Sequence, residues 1–192
     1  MNRVMLVDDE ENILKSLRRL LIATPISHGG IAYPVEVETF TSPRQALERA
    51  RHKAFDLFLV DYRMPEMDGV ALLKEIREIQ PNAARIILSG YADLNALIGA
   101  INEAQIYRFL SKPWNDYELV STMGQALAYR HLLAENERLA DQVRMDRGQM
   151  SPEDAERKRL ESMEPGITQV NWGPDGSVIL DEEFRDPFND EF

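Results

Sequence analysis

Short apolar segments alternate strictly with amphipathic helical segments along the first 110 residues, and this alternation constrains the fold more than any other feature. Helices separate five segments with strand character, namely Arg3–Val7, Val35–Phe40, Phe55–Val60, Arg85–Leu88 and Tyr107–Leu110. Parallel strands need crossover helices between them, and their buried positions are nearly all apolar. The alternation therefore predicts an α/β domain whose doubly wound, five-stranded parallel sheet carries helices on both faces.

Polar residues follow four of these strands at the point where each strand ends. Asp8 and Asp9 follow the first strand, Asp61 the third, Ser89 the fourth, and Lys112 comes just after the fifth. Ligands of open parallel sheets bind at the carboxyl ends of the strands. We therefore expect three carboxylates, one hydroxyl and one ammonium group at one edge of the sheet.

These residue types suit phosphorylation of an aspartate. Three close carboxylates repel one another unless a cation lies among them, and all-oxygen ligands favour Mg²⁺. An aspartate can act as a nucleophile and form an acyl phosphate, while a lysine and a serine stabilise the phosphoryl oxygens. Each residue alone has an ordinary explanation as a loop acid, a helix cap or a surface lysine, so the prediction depends on their joint placement.

Four motifs carry a specific resemblance: LVDDEENIL, LVDYRMPEMDG, IILSGYAD and FLSKPW. In order and spacing they make residues 1 to about 125 similar to the receiver domain of two-component response regulators. The resemblance implies a flavodoxin-like strand order, Mg²⁺ as cofactor and a sensor histidine kinase as partner. The forms LSGYAD and FLSKPW resemble those of receivers joined to HD-GYP phosphodiesterases or other signalling modules.

The resemblance also implies roles for individual residues. Asp61 is the expected phosphoacceptor, and Mg²⁺ is expected on Asp8, Asp9, Asp61 and the backbone carbonyl of Arg63. The expected phosphoryl-binding and switch residues are Ser89, Lys112 and Phe109, where phenylalanine has no hydroxyl and can act only by packing. Arg63 and Tyr91 occupy the positions that tune dephosphorylation, and their size predicts a long-lived acyl phosphate.

Residues 126–147 extend the last receiver helix, with no glycine or proline to stop it before about Arg147. A coiled-coil stripe places Tyr129, Asn136 and Val143 at heptad position a, and Leu132 and Leu139 at position d. Asparagine at an a position favours a parallel two-stranded pairing, which predicts a homodimer. The alternative is a single amphipathic helix that folds back on its own receiver.

Residues 148–192 form a third region, with a short helix over Ser151–Glu164 and a β-hairpin around the turn Gly173–Gly176. An isolated hairpin is marginal in water, so it must dock on the receiver, a partner chain or a target. From Glu164 onward there are eight acids and one base, which predicts an acidic interaction tail. Two smaller expectations are an irregular loop over Thr24–Pro34 and an unusual backbone geometry at Gly69.

Composition excludes several classes of function. The absence of cysteine excludes disulfide scaffolds, thiol nucleophiles and cysteine-ligated metals. A net charge of −11 and a pI near 4.8 argue against a nucleic-acid partner. No apolar run is long enough to cross a membrane, and the N-terminus does not resemble a signal peptide. These features predict a cytoplasmic protein without membrane contact.

Together these observations predict a response regulator phosphorylated on Asp61, whose output is dimerisation or binding of an unknown target protein rather than DNA binding or catalysis. The alternative is a phosphorelay intermediate that passes the phosphoryl group to a histidine phosphotransfer protein. An aspartate-based phosphatase needs a second acid two residues after the nucleophile, and Arg63 holds that place. Enzymatic activity is therefore expected only as self-phosphorylation and autodephosphorylation.

Overall fold

The computed structural model describes residues 1–90 and 104–167. The strands are β1 (Asn2–Val7), β2 (Ser27–His28), β3 (Ile31–Ala32), β4 (Val35–Phe40), β5 (Leu57–Asp61), β6 (Ala84–Ser89) and β7 (Arg108–Ser111). The helices are α1 (Glu11–Ala23), α2 (Pro43–His52), α3 (Gly69–Ile79), α4 (Asp116–Asp146) and α5 (Pro152–Met163). The sequence pattern also predicts a helix over Asp93–Glu103. This segment, the predicted hairpin and the acidic residues beyond Ile167 lie outside the described residues.

The main sheet has five parallel strands in the order β4-β1-β5-β6-β7. This confirms the predicted α/β class and the flavodoxin-like order, and the predicted strands differ from the observed ones by one or two residues at their ends. Alternate residues of the central strands face two separate cores. One core lies under α1 and α4 and contains Leu17 and Leu127, while the other lies under α2 and α3 and contains Phe58 and Leu72.

The sequence pattern predicts a helix over Glu66–Ile79, and helix α3 begins three residues later, at Gly69. The side chain of Asp68 caps the helix by accepting a hydrogen bond from the N–H of Ala71 at 2.8 Å, and Glu66 lies before it at φ 70°. The expectation of an unusual backbone at Gly69 was wrong, because its φ lies outside the left-handed region. Glycine is needed there because a Cβ would lie 2.2 Å from the carbonyl oxygen of Asp61.

The segment over Thr24–Pro34 is more ordered than the expected loop, because β2 and β3 form an antiparallel ribbon within it. Gly29 and Gly30 form its two-residue turn at φ 58° and 78°, a conformation that glycine adopts without strain. The ribbon packs on α4 so closely that a Cβ at Gly124 would lie 2.6 Å from the carbonyl oxygen of Ser27.

Helix α4 has 31 residues and confirms the predicted long C-terminal helix. Near its middle, Arg130 pairs with Asp56 at 2.7 Å and His131 contacts the side chain of Asn2 at 2.8 Å. Asn2 and Asp56 mark the amino-terminal ends of β1 and β5, so α4 extends beyond the sheet from this point. Every residue from His131 to Ala140 is exposed, and Glu137 within this run accepts a hydrogen bond from Asn82 of the receiver at 2.9 Å.

Helix α5 turns back after Gly148, which has a φ of 67°. Its Lys158 pairs with Asp141 of α4 at 2.8 Å, and Ser151 caps its start by accepting from the N–H of Asp154 at 3.0 Å. Among the residues that the structure describes, no helix combines the length and apolar character needed to cross a bilayer.

Candidate functional site

Three carboxylates meet at the carboxyl edge of the sheet, where β1 and β5 end. One oxygen from each of Asp8, Asp9 and Asp61 lies within 4.8 Å of the others. Asp8 and Asp61 are buried, whereas Asp9 is exposed. Backbone N–H groups hold the two buried carboxylates, since Glu10 donates to Asp8 at 3.0 Å and Arg63 donates to Asp61 at 3.1 Å.

Lys112 connects the two buried carboxylates. Its Nζ lies 2.6 Å from Oδ2 of Asp8 and 2.5 Å from Oδ1 of Asp61. The lysine follows β7, and its backbone N–H donates to the carbonyl oxygen of Ser89 at the end of β6 at 2.8 Å. Residues from four strand ends therefore come together, as the parallel topology requires.

The charges in this cluster do not balance. Burial raises the pKa of Asp61 above its ordinary value, and the nearby Lys112 ammonium offsets this only in part. Burial alone would lower the pKa of Lys112, but its contacts with Asp61 and Asp8 raise it, so the ammonium stays charged. Three carboxylates around one cation form an oxygen-rich, net negative site, and this donor set fits a hard divalent cation such as Mg²⁺.

The other predicted residues lie at varying distances from this centre. Ser89 is buried at the end of β6, and its hydroxyl donates to the carbonyl oxygen of Gly90 at 3.2 Å. Phe109 is half-buried on β7 and packs against the core under α2 and α3. Arg63 is exposed beside Asp61, and its N–H contacts that carboxylate. Tyr91 lies outside the described residues.

Sequence reasoning missed how Gly69 positions the site. Its N–H donates to the carbonyl oxygen of Tyr62 at 2.9 Å, and its missing side chain lets the start of α3 approach the end of β5. This contact holds the loop that follows Asp61 against the sheet. The glycine was noticed in the sequence, but the close approach depends on tertiary packing.

Arg85 was also missed, although a basic residue inside an apolar strand is a visible signal. It is buried at the opposite end of β6 from Ser89 and donates to the carbonyl oxygens of Gln80, Pro81 and Ala104. Burial, together with the charge of Arg77, lowers its pKa to about 10. Arg85 therefore fixes the end of α3 to the sheet and has no contact with the carboxylate cluster.

Comparison with known proteins identifies the fold and the family. The family model of the response regulator receiver domain matches residues 4–123. The crystal structure of the signal receiver domain of an HD domain-containing protein from Pseudomonas fluorescens Pf-5 is 37% identical, with a TM-score of 0.60. That comparison covers 68% of this chain and 97% of that one. The motifs LSGYAD and FLSKPW predicted a similarity to receivers joined to HD-GYP phosphodiesterases or other signalling modules, and this neighbour is the receiver of a protein that contains an HD domain.

Longer regulators are also similar to this chain. The hydrogenase transcriptional regulatory protein HoxA of Cupriavidus necator is 35% identical over 141 residues, which are 73% of this chain and 27% of that protein. The DNA-binding transcriptional regulator NtrC of Klebsiella pneumoniae is 32% identical over 124 residues, which are 65% of this chain and 24% of that protein. The chain thus spans about a quarter of the length of these relatives. Their names do not support the expectation that nucleic acid is excluded as a partner.

The matched residues include four whole strands of the sheet, β1 from Val4 onward, the carboxylates of Asp8, Asp9 and Asp61, and Lys112. The order of the strands and the position of this cluster agree with the motifs that first suggested the resemblance. The chain belongs to the response regulator receiver family.

Proposed function

We propose that Asp61 accepts a phosphoryl group from a sensor histidine kinase. The observation that supports this most directly is the contact of Lys112 with both Asp8 and Asp61 at the carboxyl edge of the sheet. An oxygen of Asp61 would bond to phosphorus while the P–N bond of the kinase phosphohistidine breaks and its electron pair leaves with the imidazole. Lys112 would then turn from Asp61 to a phosphoryl oxygen, and the Ser89 hydroxyl would donate to another.

The acidic residues around Asp61 would prepare the site for this transfer. Asp8, Asp9, Asp61 and the backbone carbonyl of Arg63 are the groups we propose for Mg²⁺, which when bound would offset charge repulsion between the phosphoryl group and the carboxylates. Phe109 would repack when Ser89 reorients, and this change would alter the surface beside β7.

Phosphorylation can be tested with a small acyl phosphate as donor. We expect the protein with Mg²⁺ to gain the mass of one phosphoryl group, and we expect Asp61→Asn to gain none. Asp146→Asn, an exposed acid at the far end of α4, is the matched control and should be modified like the unaltered protein. Modification of Asp61→Asn at an undiminished level would overturn the assignment.

We further propose that Arg63 and Tyr91 shield the acyl phosphate from water. Arg63 lies directly beside Asp61 and is large enough to cover it. We expect Arg63→Ala to shorten the half-life of the phosphorylated protein by about tenfold, a change of about 1.4 kcal/mol in the barrier to hydrolysis. The fraction of phosphorylated protein in samples quenched at successive times measures this half-life. A half-life of seconds in the unaltered protein would contradict the shielding role.

We propose that the output passes through a parallel homodimer of α4. Among the described residues from Tyr129 onward, the polar contacts of α4 with the receiver and α5 are made by Arg130, His131, Glu137 and Asp141, at heptad positions b, c, b and f. Tyr129, at position a, also packs against Tyr107 of the receiver, with ring centroids 5.8 Å apart. The a and d residues lie on another face and are exposed, namely Tyr129, Leu132, Asn136, Leu139 and Val143. A second copy could pair along the stripe from Leu132 to Val143 without displacing α5.

Light scattering before and after beryllofluoride, a phosphoryl mimic, tests this output. Leu139→Glu places a charge in the stripe and should give a monomer in every state, whereas Ala134→Glu at position f should behave like the unaltered protein. A mass change with beryllofluoride that is lost in Asp61→Asn would make phosphorylation the dimer switch. A monomer in every state of the unaltered protein would refute the homodimer.

Two other outputs remain to be compared with this one. A phosphorelay intermediate would transfer its phosphoryl group rapidly from Asp61 to a purified histidine phosphotransfer domain. The names of NtrC and HoxA favour control of transcription, so DNA binding is the second candidate output. Salt-dependent binding of the phosphorylated protein to promoter DNA would favour DNA binding as the output over dimerisation or binding of a target protein.

A further inference from the structure

Helix α5 lies across the amino edge of the sheet but leaves a groove of about 590 Å³ beneath it. The receiver side of the groove is lined by two polar residues, Gln80 and Asn82, and by five apolar ones, Ala54, Phe55, Ile79, Pro81 and Ala83. A second groove of about 460 Å³ shares Ala54, Arg130 and Ser162 with the first. The two grooves are therefore neighbours, and spaces of this size accommodate several side chains of a peptide.

Within the described residues, α5 has no core of its own. None of its 12 residues is fully buried: its apolar residues Ala155 and Leu160 are half-buried, and Met163 is 53% exposed. Short helices in water obtain most of their stability from packing an apolar face, and here that face is incomplete. An apolar segment in the groove would provide the missing contacts to both α5 and the receiver.

Arg130 supplies a second sign that the groove is incomplete. It lines both grooves, and its terminal nitrogen pairs with Asp56 at 2.7 Å. Its Nε is buried and has no hydrogen-bond partner in residues 1–90 and 104–167. Buried polar groups nearly always have a partner, so an acceptor such as a peptide carbonyl is expected beside it.

The chain itself carries a suitable segment next to the groove. Ile167 lines the second groove, and residues 168–180 follow it directly. This segment contains one acid, Asp175, and the apolar residues Val170, Trp172, Val178, Ile179 and Leu180. Thirteen residues reach about 47 Å at most when fully extended and about half as far as the predicted hairpin, so the segment can reach the groove from its own end. The acidic residues that follow Leu180 fit the apolar lining on the receiver side of the groove less well.

We propose that residues 168–180 dock in cis in the groove between α5 and the amino edge of the sheet. The docked segment fixes α5 against the receiver through Trp172 and its apolar neighbours, and a peptide carbonyl accepts from Nε of Arg130. The groove is the binding site of this segment and is separate from the carboxylate cluster at the opposite edge.

Trp172 gives a direct measurement in the full-length chain. The protein has two tryptophans, so Trp114→Phe leaves Trp172 as the sole indole. We expect its emission at a shorter wavelength than in the urea-unfolded chain and several-fold weaker quenching by acrylamide. Ala54→Glu places a charge in both grooves and should restore the emission and quenching of an exposed indole. Ala134→Glu, the same change on the exposed face of α4, should leave both unchanged.

A second measurement does not depend on the groove variant folding normally. Trp172→Ser should increase the hydrogen-exchange rates of the α5 amides at least several-fold and leave those of β1 unchanged. The proposal would be overturned if acrylamide quenched Trp172 as strongly as in the unfolded chain. It would also be overturned if Trp172 stayed shielded from acrylamide in a folded Ala54→Glu variant. If Trp172 lost its shielding when the protein was diluted, docking in cis would also be overturned, and docking of residues 168–180 on a second copy would be favoured.

Discussion

Burial of the charged Asp61 side chain lowers the free energy of unfolding, and this effect can be measured separately from phosphorylation. Because burial raises the pKa of Asp61 in the folded protein, the ionised side chain is less favourable there than in the unfolded chain. The stability provided by the protonated form is complete below the unfolded pKa of about 4 and is lost as pH rises through the higher folded value. At neutral pH the charge therefore lowers the free energy of unfolding.

We expect Asp61→Asn to raise the free energy of unfolding by on the order of 1 kcal/mol at pH 7 without divalent cations. Urea unfolding in a chelating buffer measures this, with Glu75→Gln on the exposed face of α3 as the control. The gain should shrink as the pH approaches the unfolded pKa and when Mg²⁺ is added. A variant less stable than the unaltered protein at pH 7 would contradict the effect of burial.

Gly69 connects local packing to the geometry of the site. A methyl group there would lie 2.2 Å from the carbonyl oxygen of Asp61, so Gly69→Ala must displace the end of β5 or the start of α3. We expect a loss of about 1–3 kcal/mol in unfolding free energy and a slower rate of phosphorylation. Gly124→Ala meets the backbone of Ser27 instead and should reduce stability while leaving phosphorylation unchanged.

At the scale of elements, edge strand β4 is held to α2 by charge. Glu38 accepts hydrogen bonds from Lys53 and from Arg49, whose Nε lies 3.1 Å away. Burial alone would raise the pKa of Glu38, but these two cations hold the pKa below its ordinary value. Its contribution to stability is present above the unfolded pKa and is lost as pH falls through the folded pKa.

We therefore expect Glu38→Gln to lower the free energy of unfolding by about 1 kcal/mol at pH 7, and by progressively less below pH ~4. Glu36→Gln, a more exposed neighbour on the same strand, should cost less because solvent screens its contact with Lys53. Chemical unfolding across this pH range checks the difference. Equal losses for the two variants would show that burial of Glu38 has no influence.

Strand and helix positions were predictable wherever the signal was local. The five strands of the main sheet and the long α4 follow from apolar runs and the absence of a helix stop. The β2–β3 ribbon was missed because its strands have two residues each, and Gly29-Gly30 was interpreted as part of a loop. The close approach at Gly69 and the hydrogen bonds of Arg85 to backbone carbonyl groups could not be predicted, because each depends on residues that are distant in sequence and meet only by tertiary packing.

At the scale of the whole molecule, Asn136 bears on how two copies would pair. It is exposed at an a position between Leu132 and Leu139. In the proposed homodimer, Asn136→Val should tighten association by about tenfold, or about 1.4 kcal/mol, and permit other alignments of the helices. Sedimentation equilibrium measures the affinity, with Ala134→Val at position f as the control. Equal dimer affinities of the two variants would show that Asn136 does not lie at the dimer interface.

The projection of α4 from the amino edge also determines which assemblies are sterically compatible. Strand β1 spans six residues, or about 20 Å, between Asn2 beside α4 and the site that follows Val7. A kinase that reaches Asp61 approaches the carboxyl edge, whereas a second copy on α4 approaches from beyond the amino edge. In the proposed homodimer, the two partners would therefore not compete for one surface. We expect a kinase to reach Asp61 of each copy without dissociation of the dimer.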